Sequence, residues 1–254
     1  MVVDPNLIGV SGKIRSGKDL LFDVINYIAT EDYWTSFEHY MHEAKPIDVV
    51  YDNKKFAYPI KWITAVLIGC DIRQLEDREF KNKELGEEWG GLTPRKLLQL
   101  LGTEAGRQII HPNIWVNALF ADYKHVWNDP DPIEGNDYNI TYRKDYPNTE
   151  ESLIQYGGGS EAEVFTREIE QSKWIITDVR FSNEAKAIKE KGGILIRINR
   201  PQYLDNGLVI RKDEHLSETA LDDYDGFDYV IENDGTVQDL IDKVKSLNIV
   251  KRIL

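Results

Sequence analysis

Two glycines and a lysine near the N-terminus have the spacing of a loop that binds phosphate groups. The segment Ser11–Asp19 reads SGKIRSGKD, with Gly12 and Gly17 bracketing the loop and Lys18 directly after the second glycine. That spacing is typical of a P-loop, which wraps a polyphosphate with backbone N–H groups and excludes bulky side chains at its closest approach. The helix expected next would add its N-terminal dipole, and the lysine would add a mobile positive charge. The sequence therefore predicts a polyphosphate site at this loop.

Position 19 departs from the usual pattern of such a loop. A hydroxyl residue that ligates magnesium commonly follows the lysine, whereas this chain has Asp19 and then Leu20. A carboxylate beside a triphosphate is repelled unless a cation lies between them, so Asp19 could serve a metal ion directly or through water. The alternative is that Asp19 only caps the first helical turn and interacts favourably with its dipole.

Charged residues also follow an apolar segment in the last third of the chain, where Asp178-Val179-Arg180 comes directly after Trp174–Thr177. Ligands of an open parallel sheet bind at the carboxyl ends of its strands, so Asp178 would lie beside the P-loop if the two strands are neighbours. Asp178 could then hold a magnesium-bound water, and Arg180 could bridge donor and acceptor phosphates. The alternative is a strand-end aspartate in a surface ion pair with its near neighbour.

A helix predicted to begin at Thr93-Pro94 carries polar groups that could contact a base or a sugar. Threonine is a good helix cap and proline suits the first turn, and the leucines at positions 97, 98, 100 and 101 predict a wide buried face. The candidate contact residues are Arg95, Gln99, Gly102, Thr103, Glu104, Arg107 and Trp115. For Arg107 the alternative is a solvated charge, and for Trp115 it is a core side chain.

The segment Arg211–Glu218 reads RKDEHLSE and lies between two predicted strands. A charged connection at that place could close over phosphates and exclude water, as a lid does; a solvated loop explains the same pattern. His215 could be a general base there. An anionic phosphate acceptor needs no base, so we assign His215 a structural or lid-orienting role.

The net charge of −13 on 254 residues argues against a broad nucleic-acid surface, which would need clustered Lys and Arg. Phosphate would instead be bound in a local basic pocket, and small-molecule substrates fit this balance better than polymers. The candidate cations are Arg15, Lys18, Arg95, Arg107, Arg180, Arg200 and Arg211.

No apolar run approaches the roughly 20 residues of a membrane span, and the lone Cys70 fits a reducing compartment. We expect a cytoplasmic protein without membrane or stable nucleic-acid partners, with a homodimer left open.

Five short apolar segments alternate with helical patterns, which is the order expected of a parallel sheet covered by helices on both faces. The predicted strands are Leu7–Val10, Lys55–Ala57, Trp174–Thr177, Ile194–Ile198 and Tyr229–Glu232. The predicted helices include Asp19–Ala29, Ile60–Ile68, Asn183–Lys191 and Val237–Val244, besides the one that begins at Thr93. Between Asn128 and Gln171 the pattern weakens, and its Pro-rich and Gly-rich turns predict a surface insertion. The predicted fold is a single three-layer α/β domain with a five-stranded parallel sheet, a core at 1–127 and 172–254, and an insertion at 128–171.

Several blocks in the same order make the chain resemble the phage-type deoxynucleoside monophosphate kinases of the P-loop kinase superfamily. The blocks are Ser11–Asp19, Phe56–Lys61, Arg95–Glu104 with Trp115, Thr177–Phe181 with Glu184, His215–Glu218 and Val230–Gly235. The match covers most of the chain outside the insertion. The resemblance implies a P-loop kinase fold and transfer of the γ-phosphoryl group of ATP to a deoxynucleoside 5′-monophosphate, with Mg²⁺, in the host cytoplasm if the chain is phage-encoded.

The residue patterns and the resemblance together assign roles to single residues. The donor nucleotide would be held by Gly12, Arg15, Ser16, Gly17, Lys18, Asp19 and Leu20, with Arg200 at the start of the lid and Asn233, Asp234 and Gly235 near the adenine. The acceptor would lie against Ala57, Lys61, Arg95, Gln99, Gly102, Thr103, Glu104, Arg107, Trp115, Asp178, Arg180 and Glu184. Asp19 and Asp178 would serve the metal, and catalysis would depend on Lys18, Asp178 and Arg180. Family members often carry threonine where this chain has Leu20. Without that hydroxyl ligand, binding of the metal would depend more on Asp19.

Two other functions stay open at this point. The animal-type phosphomevalonate kinases look similar at the Arg15–Asp19 loop and at Gly226–Asn233. The Gly102–Glu104 block favours a nucleotide kinase over that class. A nucleotide-binding switch or scaffold would keep the pocket without turnover, and the intact lysine, aspartate and arginine of the site argue against it.

Overall fold

The computed structural model describes residues 5–30, 33–43, 50–121, 123, 173–201, 219–247 and 249. By their contacts, Met1–Lys124 and Ser172–Leu254 group as one unit, and His125–Gln171 as a second, which lies outside the described residues. The predicted insertion at 128–171 and residues 202–218 of the predicted lid, with Arg211 and His215, also lie outside them. The predicted domain boundaries stay a prediction.

Five parallel strands form one sheet. They are β1 (Leu7–Ser11), β2 (Asp52–Lys54), β3 (Trp174–Ile176), β4 (Ile194–Asn199) and β5 (Tyr229–Glu232). Their order is β2-β3-β1-β4-β5, so β1 is central, with β3 on one side and β4 on the other. Short apolar strands buried on both faces are typical of parallel sheets. The α/β fold predicted from the sequence is confirmed.

The described helices connect and cover these strands. They are α1 (Lys18–Ala29), α2 (Phe37–Glu43), α3 (Tyr58–Ile68), α4 (Arg78–Asn82), α5 (Pro94–Gln99), α6 (Ile114–Phe120), α7 (Ser182–Glu190) and α8 (Val237–Ser246). Short 3₁₀ turns cover Ile72–Glu76 and Glu87–Trp89, and a π-helix covers Leu100–Ile110. The predicted helices agree with these bounds to within two residues. Within the described ranges, no helix has the length and apolar character that crossing a membrane requires.

Apolar side chains of the central strands alternate between two cores, one on each face of the sheet. Ile8 and Val10 of β1 pack in the core that contains side chains of α1 and α8. Leu7 of the same strand packs in the other core, with side chains of α6 and α7. The two helical layers therefore leave the carboxyl edge of the sheet as the place where loops meet.

The predicted strand at Lys55–Ala57 is wrong, because the chain leaves the sheet before it. β2 covers Asp52–Lys54, and a turn over residues 55–57 leads directly into α3. The N–H groups of Phe56 and Ala57 pair with no strand and instead donate to the carboxylate of Asp178, at 2.8 and 2.9 Å. A side chain that follows β3 therefore ends β2 three residues earlier than the apolar pattern predicts.

The helix after Thr93 also differs from its prediction. The Thr93 hydroxyl caps α5 by accepting the N–H of Lys96, and Pro94 occupies the first turn, as predicted. α5 then passes into the π-helix, so Gly102 lies inside a helix. Of the four leucines only Leu97 is buried. Leu100 and Leu101 lie in the π-helix, whose wider turns change which residues align along one face. The buried face is narrower than predicted.

Candidate active site

The predicted P-loop follows β1 at the carboxyl edge of the sheet, between β3 and β4, where the chain order reverses. α1 begins at Lys18, directly after the loop. The Lys18 ammonium bends back over the loop and donates to the carbonyls of Gly12 and Lys13, at 2.8 Å each. The loop and its lysine form one hydrogen-bonded unit at a helix N-terminus, an arrangement that binds phosphate groups in proteins.

The shape of the loop requires its two bracketing glycines. A Cβ at Gly12 would lie against a backbone carbonyl of β4 and the hydroxyl of Ser16. Gly17 has a φ of 101°, in the left-handed region, and a Cβ there would approach Asn233 Nδ2 to 2.5 Å. Arg15 is also left-handed, with a φ of 63°. Backbone of this shape excludes side chains at its narrowest points, as a polyphosphate cradle requires.

We expect Gly17→Ala to weaken ATP binding at least about tenfold, because an L side chain in this conformation costs about 1–2 kcal/mol and its Cβ would press on Asn233. Gly192→Ala is the matched control, since Gly192 has a φ of 75° and nothing lies within 4 Å of its Cβ position. Both variants should lose stability in thermal unfolding, Gly17→Ala somewhat more because of its contact with Asn233, and only Gly17→Ala should lose affinity in calorimetric titration with ATP. Equal ATP affinity in the two variants would contradict a nucleotide site at this turn.

Unpartnered buried polar atoms concentrate on the predicted site residues. Four such side-chain atoms are found in the described part of the chain: Ser16 Oγ, Tyr40 OH, Glu104 Oε2 and Arg107 Nη1. Three of the four belong to residues predicted to contact a nucleotide, and only Tyr40 lies elsewhere, in an aromatic cluster of α1 and α2. A buried polar atom without a partner costs about 1–3 kcal/mol. Ligand atoms that supply the partners would therefore bind favourably at these positions.

Asp19 lies in the first turn of α1 but does not cap it. The cap residue of α1 is Gly17, which has no side chain to cap the helix. The Asp19 side chain is 75% exposed, and it accepts a hydrogen bond from Lys55 Nζ at 3.1 Å. The capping alternative is therefore wrong, while a favourable interaction with the helix dipole is retained. A role of Asp19 in metal binding stays a prediction.

Asp178 lies at the same edge of the sheet as the P-loop, because β3 and β1 are neighbours. Its two carboxylate oxygens accept the N–H groups of Phe56 and Ala57, so it positions the turn that begins α3. Burial raises the pKa of the Asp178 carboxyl above its usual range, and the two N–H donors, Arg180 and Lys55 oppose that rise. The predicted roles of Asp178 toward the metal and the acceptor stay predictions.

Glu184 and Arg107 form a buried ion pair between α7 and the π-helix. Arg107 Nη2 donates to Glu184 Oε1 at 2.6 Å, and the side chain of Arg107 is 14% exposed and that of Glu184 only 2%. The other oxygen of Glu184 accepts the backbone N–H groups of Arg180 and Phe181, at 2.7 and 3.0 Å. The Arg107 guanidinium also stacks on the Phe181 ring, with Cζ 4.2 Å from its centroid. Arg107 is thus not a solvated charge, and Glu184 connects it to the turn that carries Arg180.

Burial is the main influence on the acidity of Glu184. Loss of solvation raises its pKa to about 7 against the attraction of Arg107, and the nearby charge of Asp178 adds to the rise. The hydrogen bonds from Arg180 and Arg107 oppose it. The three groups bonded to the carboxylate are all donors, which is the arrangement that suits the ionised form.

Other residues predicted for the acceptor lie on α3, α5 and the π-helix. Lys61 Nζ is paired with Glu76 at 2.5 Å, and Arg95 Nε donates to Asn82 Oδ1 at 2.7 Å. Gln99 and Thr103 are half-buried, and Glu104 lies 3.7 Å from Lys96. These contacts are separate from the Glu184–Arg107 pair. The predicted contact of these side chains with an acceptor stays a prediction.

Trp115 packs beneath the π-helix. It is 4% exposed, and its indole N–H donates to the carbonyl of Gly102 at 2.8 Å. Gly106 allows the close approach, because a Cβ there would come within 2.7 Å of the indole ring. The structure therefore gives Trp115 the core role of the alternative interpretation. Its predicted contact with an acceptor stays a prediction.

Arg200 and the turn Asn233–Gly235 follow β4 and β5 at the carboxyl edge of the sheet. Arg200 is exposed directly after β4. A hydrogen bond from Lys243 to Asp234, 2.6 Å long, holds the pKa of that carboxyl below its usual range. The amide of Asn233 is buried against the P-loop. The predicted contacts of this turn with adenine stay a prediction.

Besides the bonds of Asp178 and the Glu184–Arg107 pair, sequence reasoning missed two further contacts of the site. It places Lys55 inside a strand, whereas the Lys55 ammonium faces Asp19. The sequence did contain a signal for a role of Lys55 in the site, because this lysine comes directly before the Phe56–Lys61 block. The contact between Asn233 and Ser16 leaves no such signal, because these residues are 217 positions apart.

The parallel sheet, the two helical layers and the loop after β1 define an α/β protein with the fold of a P-loop kinase. The profile of the family described as Deoxynucleotide monophosphate kinase matches residues 161–244, about a third of the chain. The match begins well after the P-loop, so the loop geometry and the family match are separate observations.

Two relatives agree with the family match. A protein of Acanthamoeba polyphaga mimivirus, provisionally named deoxynucleotide monophosphate kinase, is 26% identical over 194 residues, covering 76% of this chain and 81% of the relative. A deoxynucleoside-5′-monophosphate kinase of Escherichia phage T5 is 43% identical over 51 residues, 20% of each chain. The chain is therefore similar to deoxynucleotide monophosphate kinases, and the resemblance found in the sequence is confirmed.

Proposed function

We propose that this protein transfers the γ-phosphoryl group of ATP to the 5′-phosphate of a deoxynucleoside monophosphate, which yields ADP and a deoxynucleoside diphosphate. The observation that carries the proposal is the loop after β1. It combines two sterically required glycines, a lysine at a helix N-terminus and a buried unpartnered hydroxyl on Ser16. The kinase names of the relatives support the choice of acceptor.

On the donor side, the loop and α1 would hold the triphosphate. Backbone N–H groups and the positive end of α1 stabilise the phosphate charge. Lys18 would exchange its two carbonyl partners, Gly12 and Lys13, for phosphate oxygens. Charge on the transferring group is thereby neutralised by groups that the fold has already positioned.

On the acceptor side, the Glu184–Arg107 pair would position the cations. Glu184 holds the backbone of Arg180, whose side chain is exposed at the sheet edge. Arg107 keeps one buried nitrogen, Nη1, without a partner. An anionic oxygen of the acceptor phosphate would attack the γ-phosphorus in line as ADP leaves, so no general base is needed. The two arginines would bring the phosphates together against their mutual repulsion.

Asp19 and Asp178 would serve the magnesium ion. Within the described ranges, no three His, Cys, Asp or Glu side chains lie together as a metal cluster. Magnesium at nucleotide sites usually takes only one or two protein carboxylates besides water and substrate phosphates. Two carboxylates near the P-loop therefore fit this ion, which when bound would neutralise charge on the phosphates.

We expect Asp19→Ala to raise the Mg²⁺ concentration needed for half-maximal activity roughly tenfold, as loss of a group that orients a metal site does. Asp52→Ala is the matched control, because Asp52 is an exposed aspartate that also lies near a lysine, 3.8 Å from Lys54. A magnesium titration of kinase activity measures both variants. An Asp19→Ala curve that coincides with the wild-type curve would limit Asp19 to its interaction with the helix dipole.

An acceptor panel tests the proposed function. The purified protein is incubated with ATP and Mg²⁺ and with each dNMP, each NMP and phosphomevalonate, and ADP release and phosphorylated product are followed together. Lys18→Ala and a reaction without acceptor are the controls for contaminating kinase and for ATP hydrolysis. Product from dNMPs supports the proposal and ranks the bases. Product from phosphomevalonate alone, or ATP binding without product from any acceptor, would contradict it.

A further inference from the structure

Asn233 joins the end of β5 to the P-loop through its side chain. Its Nδ2 donates to the carbonyl of Ser16 at 2.9 Å, and the residue is only 4% exposed. Its backbone N–H donates to the Asn199 carbonyl at 2.7 Å, so the pairing of β4 and β5 sets the place of the amide. The loop after β1 is thereby attached to a strand two positions away in the sheet.

The hydrogen bond fixes the direction of one peptide group in the loop. The C=O and N–H of a trans peptide point in opposite directions. A Ser16 carbonyl held by Asn233 therefore directs the Gly17 N–H away from Asn233. Asn233 also limits the width of the loop, because a Cβ at Gly17 would approach its Nδ2 to 2.5 Å. The buried amide thus controls both the orientation and the shape of the phosphate cradle.

The turn that carries Asn233 is also held on its far side, by α8. Lys243 Nζ donates to the Glu232 carbonyl at 2.5 Å and to Asp234 Oδ1 at 2.6 Å. Neither bond involves a residue of the P-loop. A change at Lys243 would remove these two bonds without removing either partner of the Asn233–Ser16 bond, which provides a matched control.

We propose that Asn233 is a positioning residue for the donor phosphates, whose side-chain amide holds the Ser16 carbonyl so that the loop N–H groups face the polyphosphate. The inference rests on the proposed function and goes beyond the resemblance, which implies only a contact with adenine for this turn. A contact with the base affects adenine nucleotides alone. A brace on the loop affects every polyphosphate, with or without a base.

Tripolyphosphate has no base or sugar and so separates the two roles. Calorimetric titration gives the dissociation constants of tripolyphosphate and of ATP for the wild-type protein and its variants. We expect Asn233→Ala to weaken both ligands about tenfold, as loss of one buried hydrogen bond does. Asn233→Asp keeps the shape but places a carboxylate beside a carbonyl, so it should weaken both at least as much. Lys243→Gln removes only exposed contacts and should keep both affinities within about twofold.

Reduced ATP affinity with unchanged tripolyphosphate affinity in the Asn233 variants would overturn the proposal and assign Asn233 to the base. An equal loss in Lys243→Gln would also overturn it, because the turn and not the amide would then be responsible. If Asn233→Ala does not fold in a thermal unfolding test, the isosteric Asn233→Asp decides by the same comparison. A wild-type protein that binds neither ligand would overturn the proposed function itself. If the wild-type protein binds both ligands, unchanged affinities in the Asn233 variants would overturn only the role of Asn233.

Discussion

We expect Lys18→Ala to lower the turnover number by about 10²- to 10³-fold, the usual loss when one preorganised group that stabilises transition-state charge is removed. The Lys18 ammonium lies over the P-loop, 2.8 Å from the carbonyls of Gly12 and Lys13, where the proposed function requires the donor phosphates to bind. Steady-state rates with ATP and a dNMP measure the effect. The fold should persist, because the fold-defining cores contain no part of this side chain.

Lys13→Ala is the matched control for Lys18→Ala, since it removes a second lysine of the same loop. The Lys13 ammonium is held by Asp222 at 2.6 Å, so its loss should change turnover much less. Equal losses in the two variants would indicate a general effect of loop charge, and near-normal activity of Lys18→Ala would refute its assigned role. Circular dichroism of both variants checks that the protein is folded.

Glu184→Ala should lower the free energy of unfolding by about 3–5 kcal/mol, the usual effect of removing one partner of a buried ion pair. The substitution leaves the Arg107 guanidinium buried without a counter-ion, and it leaves the N–H groups of Arg180 and Phe181 without their acceptor. For a chain of this size the midpoint of thermal unfolding should fall by roughly 10 °C. Turnover should fall as well, because the turn that presents Arg180 loses its anchor.

Glu190→Ala is the control for Glu184→Ala, because it makes the same substitution in the same helix. The Glu190 side chain is 64% exposed and lies 3.6 Å from Lys186. An exposed pair of this kind contributes at most about 0.5 kcal/mol, so Glu190→Ala should unfold close to the wild-type temperature. Coincident unfolding curves for the two variants would show that the buried pair does not stabilise the fold.

The effect of Glu184 on stability should also depend on pH. Its folded-state pKa of about 7 lies above the ordinary value of 4.5, so between these values the folded protein keeps a proton that the unfolded chain has lost. Raising the pH through this interval therefore disfavours the fold, and above about 7 the effect is constant. The unfolding free energy of wild type minus that of Glu184→Gln should fall across the interval and then level off. A flat difference would mean that the carboxyl titrates near its ordinary pKa.

The P-loop is the part of the site that the sequence predicts best, because its chemistry is local. The two glycines and Lys18 lie within seven consecutive residues, 12–18, and the strand before and the helix after them are read from the same stretch. The capping of α5 by Thr93 is predictable for the same reason, since the cap and the N–H it accepts are three residues apart.

Contacts between distant segments could not be predicted in this way. Arg107 and Glu184 are 77 positions apart, and their pairing depends on how the π-helix packs beside α7. The end of β2 was mispredicted because Asp178, more than 120 positions away, binds the N–H groups that would have continued the strand. Burial and pairing of this kind follow from the tertiary fold, so no local pattern in the sequence predicts them.

Two buried atoms without partners reduce the thermal stability of the fold but are proposed to serve its activity. They are the hydroxyl of Ser16 and one carboxylate oxygen of Glu104. Each lowers the stability of the ligand-free fold, so a small apolar residue in either place would make the chain more resistant to heat. The same replacement would remove an atom that the nucleotides are proposed to satisfy. A laboratory selection for heat tolerance alone would therefore tend to erase these two groups early, and phosphoryl transfer with them.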